Sequence, residues 1–281
     1  MIHIKTEKEI DILRQCAELV GRTLGEVARY IRPGVTTAEL DAIAEDFIRT
    51  QGAEPAFKGY RVGRLVYPAT LCVSVNDQVV HGIPGDYKLK EGDLVSVDCG
   101  VRYRGFYGDS AYTFGVGELD PENVRLCRVT YEALDKGIAQ AVAGKRIGDI
   151  SHAIQRHCEA AGYGVVRALV GHGIGRRLHE EPQVPNVGRP GTGRRLRVGM
   201  TLCVEPMVNR GTYEVRVGDD GWTVYTADGQ PSAHYEHMVV VRAGRPEVLT
   251  TFAYIEEVVE APYKQTITSP HGETETHYTG R

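Results

Sequence analysis

The order of the predicted elements places this 281-residue chain in the α+β class. Two predicted helices precede several predicted strands, and the same succession returns in the second half of the sequence. Runs of helices followed by runs of strands favour an antiparallel or mixed sheet covered by helices over a doubly wound parallel sheet. A chain of this length fits one large domain, and no glycine-rich linker divides it.

The predicted helices have apolar residues at spacings of three and four and capping patterns at their N-termini. The first covers residues 6 to 31, where Thr6 and Glu9 form a capping box, and the second, from 36 to 52, repeats this pattern. Further helices are predicted over residues 121 to 143 and 149 to 161, and strands over residues 70 to 76, 93 to 99 and 109 to 116.

The second half of the chain resembles the first. One constant offset takes Gly34 to Gly144 and Gly52 to Gly162 and superposes the apolar positions between them, and a slightly smaller offset takes GDLVSVD (92 to 98) onto GMTLCVE (199 to 205). Chance agreement is the alternative, but each half ends an apolar strand with an acidic residue. We therefore expect one pseudo-symmetric domain over residues 1–260, followed by a polar surface tail over residues 261–281.

Composition narrows the class of protein. Hydrophobic residues make up 42% and charged residues 25%, as in soluble globular proteins. No apolar run has the length of a signal peptide or a membrane span, so we expect a cytoplasmic protein without membrane contact. The net charge of −4 gives no case for a nucleic-acid partner, although the basic stretch at 193 to 199 leaves contact with an RNA-rich partner open.

The cysteines are predicted to be buried free thiols. Six are scattered singly and no CxxC pair occurs, which favours a reducing compartment over a disulfide or zinc framework. They are Cys16, Cys72, Cys99, Cys127, Cys158 and Cys203.

Carboxylates occur where the sequence is otherwise apolar. Asp98 lies in LVSVDCG, and a tight return through Gly105 would bring Asp109 beside it on the next strand. An unpaired buried charge costs several kcal/mol or neutralises itself, and two adjacent carboxylates repel each other. Cations between them would remove both costs.

Two further acids and a histidine repeat this situation. Glu205 in TLCVEPM and Glu236 in SAHYEHMVVV stand in apolar strands, and His172 lies between glycines in LVGHGIG. For each acid alone, a salt bridge or a helix cap is the simpler interpretation. Four carboxylates and one imidazole together favour two divalent ions over a structural zinc site.

Two other histidines are candidates for catalysis. His179 lies in RRLHEEP, which has the wrong spacing for the HExxH helix of zinc proteases, and Pro182 would break that helix. His81 lies in VVHGIPG, after a predicted strand. Each alone fits an ordinary surface or core histidine, whereas beside a metal pair each could stabilise an oxyanion or relay a proton.

Five segments resemble the motifs of type I methionine aminopeptidases in order, spacing and residue type. They are CVSVNDQVVHGIP (72 to 84), GDLVSVDCG (92 to 100), GHGIG (171 to 175), EPM (205 to 207) and SAHYEHMVVV (232 to 241). The resemblance extends from about residue 3 to residue 258. It implies the pita-bread fold, in which two pseudo-symmetric halves form a curved antiparallel sheet, covered by helices, around a metal cleft.

The resemblance also implies the site. It places metal ligands at Asp98, Asp109, His172, Glu205 and Glu236, catalytic roles at His81, His179 and Glu205, and substrate contacts at His81, His179, Phe57, Tyr60, Tyr67, Cys72 and Trp222. Asp109 and Glu236 match the bridging positions. Asp98 completes one ion, and His172 and Glu205 complete the other. The implied cofactors are two divalent ions of cobalt, manganese, iron or zinc.

Three features depart from the family or distinguish its members. RVGRLV (61 to 66) is longer than the usual link between Tyr60 and Tyr67, and Leu178 stands where an aromatic residue often precedes the second histidine. The stretch between His179 and Glu205 is too short for the helical insertion of type II enzymes.

The implied activity is co-translational removal of the initiator methionine before a small second residue, by two-metal hydrolysis of the first peptide bond. The expected partners are nascent chains that begin with Met and, transiently, the ribosome; a monomer is expected. One rival is a relative that acts on proline-containing peptides or creatine, against which Trp222 in DGW and the short segment before the first helix argue. Another is an interaction module without catalysis, which should lack the ligands.

Overall fold

Four long helices lie close to their predicted positions. The computed structural model describes residues 2–264. Its helices are α1 (Glu7–Ala28), α2 (Thr37–Thr50), α3 (Pro121–Ile138), α4 (Ile147–Ala160) and the short α5 (Ala253–Glu256), followed by a 3-10 helix (Pro262–Lys264).

The predicted capping boxes fix the starts of α1 and α2. The hydroxyl of Thr6 accepts a hydrogen bond from the backbone N–H of Glu9, whose carboxylate accepts one from the N–H of Thr6. Thr36 and Glu39 make the same reciprocal bonds. These bonds satisfy N–H groups that the first helical turn leaves unpaired, so both helices start within one residue of the prediction.

The third helix is shorter than predicted. We expected it to run to residue 143, but α3 ends at Ile138. Beyond it, the N–H of Ala143 donates to the carbonyl of Arg242 and the N–H of Gly144 donates to the carbonyl of Leu196. Pairing with distant parts of the second half therefore replaces the helical hydrogen bonds, although the apolar period continues.

The strands within residues 2–264 pair in the antiparallel sense. They are β1 (Glu54–Pro55), β2 (Arg61–Val62), β3 (Leu65–Val66), β4 (Leu71–Val75), β5 (Gln78–Val80), β6 (Leu94–Tyr103), β7 (Phe106–Gly115), β8 (Gly164–Val165), β9 (Val170–Gly173), β10 (Glu180–Pro185), β11 (Thr201–Val204), β12 (Met207–Asn209), β13 (Val215–Val217), β14 (Val224–Thr226), β15 (Ser232–His234), β16 (His237–Val240) and β17 (Glu247–Val248). A four-stranded sheet contains β1, β4, β6 and β7, and a five-stranded sheet has the order β10-β9-β11-β16-β17. Three smaller sheets complete the described chain: β15-β12-β8, β13-β14-β5 and the pair β2-β3.

The helix bounds confirm the internal repeat. The offset that takes Gly34 to Gly144 also takes both ends of α2 onto those of α4, and the last residue of α1 onto the last residue of α3. The smaller offset, which takes Asp98 to Glu205, places the long strand β6 on β11 and β12 together. Each half therefore has two helices that cover an antiparallel sheet.

The core extends past the predicted end of the domain. Ala261 and Tyr263 are buried, and the ring of Tyr263 stacks on that of Tyr131 with 3.9 Å between centroids. Packing therefore continues at least to Lys264 rather than stopping at residue 260, and the remainder of the predicted tail, 265–281, lies outside the described residues. The six cysteines are buried and free, as predicted. Within residues 2–264, none of the helices combines the length and the apolar character that crossing a membrane requires.

Candidate metal centre

The hairpin of β6 and β7 carries the first two predicted ligands. Its two-residue turn is made by Arg104 and Gly105, which both have positive φ (50° and 79°), as the twist of a tight hairpin requires. Asp98 pairs across the ladder with Ala111, two residues beyond Asp109. Because side chains alternate between the faces of a strand, both carboxylates lie on one face. This confirms the predicted return through Gly105.

The other three predicted ligands come from separate strands of the second half. His172 lies on β9, Glu205 directly follows β11, and Glu236 lies between β15 and β16. The backbone N–H of Glu236 donates to the carbonyl of Ala111 on β7. This bond joins the second-half ligand segment to the hairpin of the first half.

Two glycines allow β9 to carry His172 between its neighbours. A Cβ atom at Gly171 would lie 2.4 Å from the carbonyl oxygen of Cys203, and one at Gly173 would lie 2.3 Å from that of Glu181. Both distances are too short for any side chain, so β10 and β11 can approach β9 this closely only because glycine stands at both positions.

The ligand atoms converge. The Nε2 atom of His172 lies 3.5 Å from an oxygen of Glu205 and 3.8 Å from an oxygen of Asp109. Ligand atoms of Asp109, His172 and Glu236 also lie within 4.8 Å of one another, together with the sulfur of Cys203. Nδ1 of His172 is 2.9 Å from the carbonyl oxygen of Gly173. If Nδ1 donates this bond, the lone pair of Nε2 faces the carboxylates, the usual arrangement of a metal-binding histidine.

The predicted carboxylate ligands are only partly supplied with hydrogen-bond donors within residues 2–264. One oxygen of each is buried without a partner among the described residues: Asp98, Asp109, Glu205 and Glu236. Burial raises the pKa of Asp98 to about 7. Burial, together with neighbouring carboxylates, raises the pKa of Asp109, Glu205 and Glu236 well above the ordinary range. Unpaired acids in such a position are costly, and oxygen-rich sites with one imidazole suit divalent cations. The residues present therefore fit two metal ions.

The two predicted substrate-facing histidines line the same cavity. His81 has φ 60°, in the left-handed region that non-glycine residues rarely adopt, and burial lowers its pKa to about 4. Burial also lowers the pKa of His179, whose ring centroid is 4.4 Å from that of His172. At neutral pH both imidazoles are therefore uncharged and each has one N–H to donate.

Aromatic and aliphatic side chains enclose the rest of this cavity of about 290 Å³. All five predicted pocket residues line it, namely Phe57, Tyr60, Tyr67, Cys72 and Trp222. The ring of Tyr67 meets Trp222 edge-on, with 5.2 Å between centroids, and its hydroxyl donates to the carbonyl oxygens of Leu71 and Gly82. Leu178, which takes the place of an aromatic residue, is buried in the same wall.

The extra residues between the two pocket tyrosines form the hairpin of β2 and β3. Its base is closed by hydrogen bonds from the N–H of Gly59 to the carbonyl of Tyr67 and from the N–H of Tyr67 to the carbonyl of Tyr60. Val62 is 54% exposed at the rim of the cavity. The insertion therefore projects outward, and both tyrosines keep their places in the pocket.

Two residues near the ligands were not singled out from the sequence. His234 lines the cavity and is buried, and Cys203 places its sulfur among the ligand atoms. For His234 a signal was available, because it stands two residues before Glu236 in SAHYEHMVVV. Cys203 stands two residues before Glu205 and was classed with the other buried thiols.

Comparisons with known proteins agree with this geometry. Residues 11–243 match the sequence profile of metallopeptidase family M24. A methionine aminopeptidase of Clostridium perfringens is 54% identical over 250 residues, which make up 89% of this chain and 99% of the relative. A methionine aminopeptidase 1 of Bacillus subtilis is 46% identical and covers the same shares of the two chains.

Solved structures show the same architecture. A methionine aminopeptidase from Thermotoga maritima superposes with a TM-score of 0.86 at 47% identity, over 89% of this chain and 100% of that one. An Xaa-Pro dipeptidase from Bacillus anthracis superposes with a TM-score of 0.72 at 26% identity, over 88% of this chain and 62% of that one. The pseudo-symmetric pita-bread fold is thereby confirmed.

Proposed function

This chain belongs to the methionine aminopeptidases of metallopeptidase family M24, and from that premise we propose that it removes the initiator methionine from nascent proteins with a small second residue. The observation that carries the proposal is a group of two buried and two half-buried carboxylates, each with one buried oxygen that lacks a donor among the described residues, beside an apolar cavity. A metallopeptidase that accepts an uncharged, unbranched side chain needs both parts in one place.

In this proposal the five predicted ligands would hold two divalent ions of cobalt, manganese, iron or zinc. Asp109 and Glu236, which the two halves present to each other, would be the shared ligands. Asp98 would complete the set for one ion, and His172 with Glu205 would complete it for the other. Bound ions of this kind supply a water nucleophile of lowered pKa and polarise the carbonyl that it attacks.

The remaining side chains act on the substrate. Glu205 accepts the proton of the attacking water and passes it towards the leaving amine. His179 donates a hydrogen bond to the oxygen that becomes negative in the tetrahedral intermediate. His81, held in the cavity wall by its unusual backbone conformation, contacts the scissile amide.

Tyr60 gives His179 the tautomer that this role requires. Its hydroxyl oxygen is 2.7 Å from Nδ1 of His179. If the hydroxyl donates this bond, Nδ1 has no proton and Nε2 has one, since a neutral imidazole has a single N–H. Nε2 is then the donor available to the oxyanion. Tyr60 would therefore position His179 as well as line the pocket.

The apolar wall accommodates the methionine side chain. Trp222, Tyr67 and Phe57 surround a space that an unbranched, polarisable thioether can fill, and contacts between sulfur and aromatic rings are favourable. The extra residues at 61 to 66 leave this wall in place because they project from its rim.

We also propose the cytoplasm as the compartment, a monomer as the active form and transient contact with the ribosome. The free buried cysteines support a reducing compartment. The substrate class supports the ribosome contact, because initiator methionine is accessible as soon as the nascent chain emerges.

Release of free methionine from Met-Ala-Ser and Met-Leu-Ser tests the function. Metal-stripped protein should be inactive, and restoring manganese, cobalt, iron or zinc should give cleavage of the alanine peptide and little of the leucine peptide. Cleavage of Ala-Pro-Ser instead would favour the proline-specific relatives. Absence of cleavage with every metal would favour an interaction module.

A further inference from the structure

His234 is the most anomalous side chain of the cavity. It is 2% exposed, and neither ring nitrogen has a hydrogen-bond partner among residues 2–264. Its backbone is firmly held, because its N–H donates to the hydroxyl of Thr113 and its carbonyl accepts from the same hydroxyl. Buried polar groups without partners are rare and costly. A buried imidazole that is held in place without partners is expected to bind a ligand through at least one of its ring nitrogens.

The carboxylate of Glu205 lies between two imidazoles. The Nε2 atom of His172 is 3.5 Å from one oxygen, and the Nε2 atom of His234 is 4.0 Å from the other. The second distance is too long for a hydrogen bond. It suits two ligands of one ion, because metal–ligand bonds of about 2.0–2.2 Å place two ligands up to ~4.2 Å apart.

We propose that His234 is an additional nitrogen ligand of the ion held by Glu205 and His172. The inference rests on the proposed metal centre and adds to it a residue outside the five predicted ligands. The two ion positions then differ in chemistry: Asp98 completes its position with oxygen alone, whereas the other position has two imidazoles. Nitrogen ligands favour zinc, cobalt and nickel, and oxygen ligands favour manganese and magnesium. The centre therefore contains one position that prefers the softer ions.

Coordination requires a nitrogen lone pair that no other group engages, and neither ring nitrogen of His234 has a hydrogen-bond partner within residues 2–264. The carboxylate that faces His234 is that of Glu205. Its charge favours a cation rather than an anion at this position.

The first measurement is calorimetric titration of metal-stripped protein with zinc and, separately, with manganese. In His234→Gln, zinc affinity at one of two positions should fall about 10- to 100-fold, at least as much as removal of an outer-shell partner causes, and manganese affinity should fall less. Equal affinities in the variant and the parent protein would overturn the proposal, as would an equal fall for both metals, which would indicate a general distortion of the site.

The matched control is His237→Gln. His237 is also buried, but its Nδ1 bonds to the hydroxyl of Thr250 and its ring stacks on Phe252, away from the cavity. Zinc affinity should be unchanged in this variant. If it falls as far as in His234→Gln, disturbance of the segment rather than a lost ligand explains both results, and the proposal fails.

Pulsed electron paramagnetic resonance of the copper-loaded protein separates direct binding from binding through a water. The parent protein should show couplings to two coordinated imidazoles and His234→Gln to one. The same couplings in both would overturn the ligand role. If the parent protein binds no divalent ion, the metal centre of the proposed function fails as well. If it binds ions but releases no methionine, only the proposed function fails.

Discussion

The two halves of the protein carry their proposed metal ligands on different kinds of backbone. In the first half, Asp98 and Asp109 lie on one hairpin of two ten-residue strands, β6 and β7, which pair without interruption. In the second half, His172, Glu205 and Glu236 lie on or beside strands of three or four residues. Both halves thus direct carboxylates into the same site, although the strands that carry them differ in length and continuity.

The long hairpin of β6 and β7 should therefore be more rigid than the short strands and turns of the second half. Continuous pairing leaves little freedom to the carboxylates of β6 and β7. The short strands of the second half are joined by the turns that carry His179 and Trp222, whereas the pocket residues of the first half, such as Tyr60 and Tyr67, lie outside the β6–β7 hairpin. In the second half the proposed metal ligands and the proposed substrate contacts therefore share one set of short strands and turns.

The largest effect on activity is expected at the two proposed bridging residues, Asp109 in the first half and Glu236 in the second. Comparing their variants tests whether the two halves contribute equally. Asp109→Asn in the first half and Glu236→Gln in the second should each reduce methionine release to background, because each removes a shared ligand of both ions. Calorimetric metal titration should show the loss of binding directly. Substantial activity in only one variant would break the symmetric assignment.

In metal-free protein, the pH dependence of stability should have opposite signs for a carboxylate of the first half, Asp98, and the imidazole of the second half, His172. Burial raises the pKa of Asp98 to about 7, so the folded state keeps a proton that the unfolded state releases, and stability is lost as pH rises from about 4 to about 7. Over this pH range, the free energy of unfolding of Asp98→Asn should therefore rise relative to that of the parent protein, by up to about 4 kcal/mol.

Burial lowers the pKa of His172 to about 3. The unfolded state takes up a proton first, so stability is lost as pH falls below about 6.5. At acid pH, the free energy of unfolding of His172→Gln should accordingly be higher than that of the parent protein. Urea unfolding of chelated protein across this range measures both differences. A gain over the same pH range in both variants would contradict the comparison.

Catalysis should depend more on the histidine of the second half. His179→Ala should lower turnover about 10² to 10³-fold, because it removes an oxyanion donor, and both ions should remain bound. His81→Ala removes a contact to the scissile amide and should have the smaller effect. Steady-state kinetics with Met-Ala-Ser tests the order, and unchanged turnover in His179→Ala would remove the role assigned to it.

A smaller effect on turnover is expected from the hydrogen bond between Tyr60 of the first half and His179 of the second half. Tyr60→Phe keeps the aromatic wall but removes the hydroxyl that contacts His179. The loss of one hydrogen bond corresponds to about a threefold to tenfold fall in turnover, with little change in KM. In ¹⁵N spectra of labelled histidine, His179 should then populate both tautomers. A single unchanged tautomer would show that Tyr60 does not select it.

The smallest effect compares the equivalent helices α2 and α4. The side chain of Thr36 caps α2, whereas Arg146 at the start of α4 makes no side-chain cap bond. Thr36→Ala should lower the free energy of unfolding by about 1 kcal/mol, and Arg146→Ala should lower it by less. Thermal unfolding with metal bound measures both, and equal losses would mean that the bonds which the carboxylates of Glu39 and Asp149 accept from the backbone N–H of Thr36 and Arg146 account for the stability of these helix starts.

Local patterns predicted most of the fold, and the family resemblance named the site residues discussed above except His234 and Cys203. The capping boxes and the return through Gly105 involve residues close in sequence, so spacing alone indicated their structure. The end of α3 was missed because the distant carbonyls of Arg242 and Leu196 accept hydrogen bonds from the residues that follow the helix, Ala143 and Gly144. His234 was missed for a related reason: only the pairing of β15 with β12 and its contact with β7 show that its ring enters the cavity and has no partner among the described residues.

The origin of the ligands in both halves has a consequence for folding. An ion that binds Asp98 or Asp109 together with Glu236 binds only the folded chain, in which the two halves are assembled. The free energy of unfolding therefore depends on the concentration of free metal. By mass action, an ion present at about 100 times its dissociation constant adds about 2.7 kcal/mol to the free energy of unfolding. A cell that withdraws metal would therefore lower the amount of this protein that stays folded as well as its turnover.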